Sequence, residues 1–362
     1  MVVDGRMVYS IIKMEAEETI IFSIIMPVYK PPYALLQEAL QSLHDQVFKE
    51  AEFIVIDDGS PDDAGAICDQ YAFSDSRFRV FHESNHGVSA ARNTGIDKAR
   101  GKYILFLDAD DQLAPELLGQ LAQVIEREAP DISFLKNIEV PEGGTVVFPK
   151  GSNSWEKTLE SFSIAECIVS NNEESLRCGN INFGAPWGKV FRKDFLNAHS
   201  CRFPVGIKKS QDRIFLLDCL AHKPKCLTLD LWGYAYVQSE ESTCHKYNPD
   251  IAVVLDDTYK RLVETVNKLY SQEEINRLEE SYPYLKFVFF IAIIRQTFFH
   301  QDNPASGEEM QAFSIFCKTW ENAFKECKLS GVSVRRWKVL LLASKLHMYK
   351  LIYKACIRYS NI

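Results

Sequence analysis

The chain has 362 residues, 46% of them hydrophobic and 25% charged, which is enough to bury a large core and to hold one sizeable α/β domain with an appendage. A formal charge of -8 and a pI near 5.6 argue against wholesale nucleic-acid binding, which favours a basic face, and leave only local basic patches to consider. Ten cysteines, scattered with no CxxC pair and no His/Cys cluster at zinc spacing, suggest neither a disulfide framework nor a structural zinc site and fit a reducing cytoplasm.

Residues 1–20 carry Asp4, Glu15, Glu17 and Glu18, lack the unbroken apolar run of a signal peptide, and are expected to form a weakly structured N-terminal extension. From residue 22 onward short apolar runs alternate with amphipathic stretches. "FSIIMPV" (22–28), "EFIVIDD" (52–58), "RFRVFHE" (77–83), "KYILFLD" (102–108) and "DISFLK" (131–136) read as strands. Helical periodicity fills 33–47, 62–73, 88–100 and 115–128, the last opened by Pro115. The alternation predicts a doubly wound, mostly parallel sheet flanked by helices, with ligands at the carboxyl ends of its strands.

The stretch 138–180 reads as an irregular connection with one helix near 155–169. "WGKVFRKDFL" (187–196), "SQDRIFLLDCLAH" (210–222) and "LWGYAYVQ" (231–238) then give a strand, a helix and a strand. After Pro249 the pattern is almost wholly helical, so a change of domain is placed near residue 250. "LKFVFFIAIIRQTFF" (285–299) is interrupted by Lys286 and Arg295 and is too short to span ~30 Å of hydrocarbon, so it is read as a buried helix.

The chemistry concentrates at the predicted strand ends. "VIDDGSPDD" places Asp57 and Asp58 at one tip, where good turn chemistry alone is the competing explanation. "LDADD" places Asp108, Asp110 and Asp111 at another. Crowded carboxylates raise one another's pKa unless a cation sits among them. A helix N-terminus accounts for one of these acids but hardly for three. An EF-hand is disfavoured because its glycine falls on Leu113 and its closing acid on Gly119, whereas a divalent ion bridging protein and phosphate oxygens fits. Arg92 opens a helix after the third strand, placed either to meet a phosphate, to orient the acidic tip, or simply to be solvated. No GxGxxG or GxxxxGK[ST] loop is present.

Taken in order, "SIIMPVY", "IVIDDGSPDD", "GVSAARNTGI", "ARGKYILFLDADD" and "WGKVFRKDFL" resemble the successive motifs of glycosyltransferase family 2, over roughly residues 22–240. The resemblance implies a GT-A fold with a helical C-terminal appendage: a catalytic domain over 21–249, its nucleotide-sugar half about 21–137 and its acceptor half about 138–249, then a helical region over 250–362. It implies an inverting transferase that moves a sugar from a nucleotide-diphosphate donor, most commonly a UDP-sugar, to a hydroxyl of a saccharide or lipid-linked saccharide in polysaccharide or glycolipid synthesis. Pro27, Val28, Tyr29, Asp57, Asp58, Arg92 and Asp108 would surround the nucleotide, and Asp110 would hold a divalent metal, Mn²⁺ or Mg²⁺.

Family members commonly carry Glu-Asp before an apolar helix in the acceptor half. Here the pair is Gln211-Asp212, which leaves Asp212 as the general base and the tuning of its pKa in question. Trp187 and Lys189 are acceptor-side candidates, with a core role for the tryptophan equally open, and His245 is read as a surface residue outside the catalytic set. Gln211 also keeps alive a catalytically inactive nucleotide-sugar-binding scaffold. A nucleotidyltransferase is disfavoured by the lack of a basic glycine-rich loop. Finally, the segment after Glu326 gathers Lys328, Arg335, Arg336, Lys338, Lys345, Lys350, Lys354 and Arg358 with no acid, and its apolar positions at helical spacing offer either core packing or peripheral contact with a membrane at its inner face.

Overall fold

The computed structural model describes residues 20–151, 155–170, 178–239, 246–304, 309–329 and 335–358. The expected N-terminal extension, His245 and the "SNNEES" connection therefore fall outside the described residues, apart from residue 20 and Ser170. Four strands form the first parallel block of the sheet: β1 (Phe22–Val28), β2 (Ala51–Asp57), β3 (Phe78–His82) and β4 (Tyr103–Phe106). Between them run α1 (Tyr33–His44), α2 (Ala64–Ser74) and α3 (Val88–Lys98), and α4 (Leu117–Glu128) follows the short β5 (Gln112–Leu113). Both β1 and β2 are buried along their whole length, which is why their sequences read as continuous apolar runs rather than alternating ones.

The second half adds β6 (Ile132–Val140), β7 (Trp155–Leu159), β8 (Lys189–Arg192) and β9 (Cys226–Val237), with α5 (Ser161–Ser170), α6 (Lys193–Ala198) and α7 (Gln211–Ala221). The sheet runs β3-β2-β1-β4-β8-β6-β9-β5, with β7 paired to β9. Strand β8 is antiparallel to both neighbours, so the sheet is mixed where the two halves join. Residues 155–159, expected within a helix, are strand β7, because "WEKTL" pairs with residues 226–229 at the margin of the sheet and the helix starts only at Ser161. Strand β9 likewise begins at Cys226, five residues before its expected start.

After residue 250 the described chain is helical: α8 (Ile251–Leu269), α9 (Gln272–Glu279), α10 (Tyr282–Gln296), α11 (Met310–Thr319), α12 (Glu321–Glu326), α13 (Arg335–Lys345) and α14 (Tyr349–Arg358). The expected buried helix at 285–299 is α10, whose Leu285, Phe287 and Phe290 are almost wholly buried. Leu255, Leu262, Val266, Leu285 and Ile293 belong to the same apolar cluster as Ile25, Phe106 and Phe215, so α8 and α10 pack directly on the sheet's helical layer. A second cluster, with Phe287, Phe313, Phe324, Ile352 and Tyr353, holds the last helices together. Among the described residues no helix is long and apolar enough to cross a membrane.

One buried ionic node ties the first strands together. Glu52 on β2 accepts hydrogen bonds from Ser23 Oγ (2.7 Å), the Arg100 amide (2.6 Å), Arg100 Nε (2.9 Å) and Arg79 Nη1 (2.6 Å). Burial disfavours its charge, yet these donors outweigh that and hold its carboxyl below the ordinary range.

Candidate active site

Strand β1 lies between β2 and β4, and all three run parallel, so Val28, Asp57 and Asp108 emerge at one edge of the sheet. Strands β2 and β4 are two spacings apart, about 10 Å. That span is too wide for one ion shared by both acidic tips and suits a larger ligand lying across the end of β1. Pro27 and Val28 are buried within β1, whereas Tyr29 stands 54% exposed at the rim.

The Asp57 carboxylate accepts from the Ser60 amide (3.0 Å) and faces His82 Nδ1 at 2.9 Å. Burial opposes its charge, but His82 and Ser60 prevail and keep its pKa low. His82 is correspondingly raised, first by Asp57 and further by Asp69. Asp58 is buried with both oxygens committed, Oδ1 to the His86 amide and Oδ2 to the Gly87 amide, each at 2.8 Å. It thus shapes the loop before α3. Gly59 between these acids and Ser60 has φ +71°, and a Cβ there would come within 2.8 Å of the Asn85 backbone, so only glycine lets the two loops touch.

Arg92, on the first turns of α3, is buried and forked between two carboxylates: Nη2 donates to Asp108 Oδ1 and Nη1 to Asp212 Oδ1, both at 2.7 Å. Phe203 lies under its guanidinium, 5.2 Å from Cζ to the ring centroid, and stacks in turn on Phe215 of α7. Arg92 therefore orients the acidic tip and is not a solvated side chain. The same fork joins the two halves of the domain, because Asp212 sits in the first turn of α7. Burial raises the Asp212 pKa; Arg92 and Lys189 draw it down while Asp108 pushes it up, and the outcome lies above the ordinary carboxylate range. Its Oδ2 takes part in no hydrogen bond among the described residues. Ser210, immediately before α7, has φ 56°, and the neighbouring Gln211 is buried with Oε1 lacking a donor among the described residues.

The remaining acids of the β4 tip differ sharply. Asp111 is fully buried and accepts from Tyr234 Oη at 2.5 Å and the Val237 amide at 2.8 Å. Tyr234 Oη also accepts from the Asp108 amide at 3.3 Å. The two hydrogen bonds to Asp111 pin the tip to β9, while burial, Asp108 and Asp110 push the Asp111 pKa well up. Asp110 has no ion-pair partner among the described residues, and burial with the adjacent Asp108 raises its pKa to about 6. With Asp108 held by Arg92 and Asp111 by Tyr234 and Val237, Asp110 is the one uncompensated carboxylate of this tip, an oxygen ligand of the kind a hard divalent cation takes together with substrate phosphates. Sequence reasoning placed Asp57, Asp108 and Asp110 at the crevice but missed Tyr234 and His82, whose roles emerge only through contacts across strands.

Both acceptor-side candidates are buried, Trp187 in the core role that the sequence leaves open and Lys189 deeper than a surface contact would lie. Trp187 is 8% exposed and stacks on Tyr234 (centroids 4.7 Å apart) and Tyr236 (5.5 Å), which gives it a core role behind the β4 tip. Lys189 is buried, and its ammonium donates to the Asn182 carbonyl at 2.7 Å and to the Ala185 carbonyl, so it braces the 182–185 loop from within instead of lining a surface. At the far end of α7, Cys201, Asp218 and His222 bring their polar atoms within 4.8 Å of one another. The thiol already bonds the carboxylate and the imidazole faces it, so these groups satisfy one another.

The family model for glycosyl transferase family 2 matches residues 23–197. The uncharacterized glycosyltransferase YibD of Escherichia coli (strain K12) is 35% identical over 258 residues, which cover 69% of this chain and 72% of YibD. The putative glycosyltransferase EpsH of Bacillus subtilis (strain 168) is 28% identical over 274 residues, covering 73% of this chain and 72% of EpsH. Among solved structures, residues 1–349 of S. aureus TarS in complex with UDP-GlcNAc superpose with a TM-score of 0.59 at 19% identity, over 93% of this chain and 91% of that one. The last likeness is one of fold.

Proposed function

This chain belongs to glycosyltransferase family 2, and we propose that it is an inverting enzyme that moves a hexosyl or N-acetylhexosaminyl group from a nucleotide-diphosphate sugar to an acceptor hydroxyl. The observation that carries this reading is the Arg92 fork, which fixes one acid of the strand tip and one acid of α7 against the same guanidinium. It supports a catalytic domain over 21–249 that binds the donor across the ends of β1, β2 and β4 and meets the acceptor near α7, with the helices after 250 as its appendage.

In this reading Pro27, Val28 and Tyr29 form the wall for the base, with Asp57 beside it, and Asp58 acts through the loop it clamps. Asp108, held by Arg92, receives the ribose. Asp110 would hold a divalent ion, Mn²⁺ or Mg²⁺, with the donor's diphosphate. Such an ion, when bound, offsets the charge that collects on the leaving group. Asp212 is the base: Arg92 fixes its Oδ1, leaving Oδ2 to take the acceptor's proton as the hydroxyl oxygen attacks the anomeric carbon from the side opposite the leaving diphosphate. One displacement inverts that carbon and requires no carboxylate nucleophile. The raised pKa of Asp212 makes it a better proton acceptor than an ordinary aspartate. Lys189 and Trp187 hold the neighbouring loop and the β4 tip in place.

UDP is the preferred nucleotide, since TarS, which shares the fold, forms complexes with UDP and UDP-GlcNAc. The acceptor is a saccharide or lipid-linked saccharide of polysaccharide or glycolipid synthesis. A thermal-shift screen of nucleotide sugars tests donor binding, because a ligand at 100 times its Kd adds about 2.7 kcal/mol to stability. Product analysis then tests the reaction. Release of nucleoside diphosphate with a glycosylated acceptor is expected. Pyrophosphate would identify a nucleotidyltransferase, and donor binding without any turnover would identify the inactive scaffold that Gln211 suggests.

A further inference from the structure

The last two helices use one face to pack. On α13, Leu341 and Ser344 are buried, and on α14 Tyr349, Ile352 and Tyr353 are buried against the cluster that includes Phe287, Phe313 and Phe324. A second apolar row, running along α13 to the residue just past its end and onto α14, faces water instead. Val339, Leu342 and Leu346, spaced i, i+3 and i+7, are 64%, 46% and 60% exposed, and Leu351 on α14 is 55% exposed. One apolar stripe suffices to dock a helix on a core, so a second stripe facing water calls for a separate partner.

Charge indicates what that partner is. After Glu326 the sequence has eight lysines and arginines and no acid, in a chain whose formal charge is -8. Lys338, Lys350 and Lys354 are exposed next to the apolar row. A second copy of the chain is a poor fit, because a two-fold contact through this patch would set like charges against each other. Lysines fringing exposed leucines on short helices match an interfacial element, whose apolar side chains enter the acyl boundary while its cations meet acidic headgroups. We propose that α13 and α14 dock the protein on an anionic membrane surface. Docking does not depend on the transfer reaction; that it would bring the crevice to a lipid-linked acceptor rests on the proposed sugar transfer.

Flotation of the full chain with phosphatidylcholine vesicles, with and without phosphatidylglycerol, tests this. Binding is expected only to the anionic vesicles, and is lost in 1 M salt, where the screening length falls to about 3 Å. Lys350→Gln with Lys354→Gln is expected to weaken binding roughly 25-fold, about fivefold per lysine. Leu342→Asp with Leu346→Asp is expected to abolish it while thermal melting and nucleotide-sugar stabilisation stay unchanged, since both positions already face water. No binding by the folded chain at low salt, or equal binding by these variants, overturns the proposal. So does an apolar patch whose aspartate variants dissociate a dimer in sedimentation velocity without altering flotation. Vesicle binding without any nucleotide-sugar stabilisation leaves docking standing and counts against the sugar-transfer reading alone.

Discussion

Arg92 Nη1 lies 2.7 Å from Oδ1 of Asp212, a residue 120 positions further along the chain, while Nη2 of the same guanidinium holds Asp108. Two carboxylates that would otherwise repel are thereby brought near one another around a single buried cation. The arrangement stores its tolerance for negative charge in one side chain, because Arg92 is almost completely enclosed and solvent offers little screening.

Removing that cation should therefore change both stability and pH response. Arg92→Gln is expected to cost about 3–5 kcal/mol in urea unfolding, the range for stripping one partner from a buried ion pair. Its remaining activity should also shift. Arg92 draws the Asp212 pKa down, so its loss raises that pKa further, and the acid limb of the kcat profile moves to higher pH. An acid limb unchanged at saturating metal would separate Asp212 from the rate. Arg92→Lys should recover part of the stability but little of the geometry, because one ammonium cannot fork to two carboxylates.

Asp212→Asn should leave nucleotide-sugar affinity nearly unchanged and lower turnover by ~10² to 10⁴, the usual worth of general-base catalysis. Calorimetry for the donor and initial rates for the product would separate the two effects. A variant with near-normal turnover removes Asp212 from the mechanism.

The N-terminal half was legible in the sequence because strands buried on both faces, such as 22–28 and 51–57, leave unbroken apolar runs, and the acids that terminate them stand out. The acidic tips at Asp57 and Asp108 were visible for that reason. Strand 155–159 was hidden because "WEKTL" has two charges in five residues and gains its conformation from pairing with 226–229. Lys189 misled for a related reason: a lysine beside a tryptophan reads as surface until two backbone carbonyls are found around its ammonium. Of the Arg92 fork, only the prong to the acidic tip was among the sequence's alternatives; its tie to Asp212 was not, since no local pattern connects residues so far apart in sequence.

Glu52 supplies a test of the scaffold rather than the chemistry. Glu52→Gln leaves Arg79 and Arg100 without their carboxylate and is expected to cost about 3 kcal/mol near neutral pH, at the low end for a buried pair because both arginines partly reach solvent. The folded pKa of Glu52 is depressed, so its contribution is present above its ordinary pKa of 4.5 and is lost as pH falls through the lower folded value. The difference in Tm between the native protein and Glu52→Gln should accordingly be full near pH 7 and shrink as the pH falls below 4.5 towards the depressed folded value. A gap independent of pH would mean that shape, not charge, sets the role of Glu52.

Asp110 separates a metal site from a merely crowded turn. Its carboxyl is raised to about 6 by burial and by Asp108, and no cation pairs with it among the described residues. If a divalent ion resides there with the donor, Asp110→Asn should weaken the binding of nucleoside diphosphate in the presence of Mn²⁺ by about tenfold or more, ~1.4 kcal/mol, and should leave the weaker metal-free binding as it was. Lowering the pH through 6 should have the same effect on the native protein, because protonation removes the charge that the ion requires. Titration calorimetry with and without Mn²⁺ at two pH values measures all of these quantities. Equal metal-dependent affinity in the native protein and the variant would assign Asp110 to the turn alone and leave the metal, if one is used, to other oxygens.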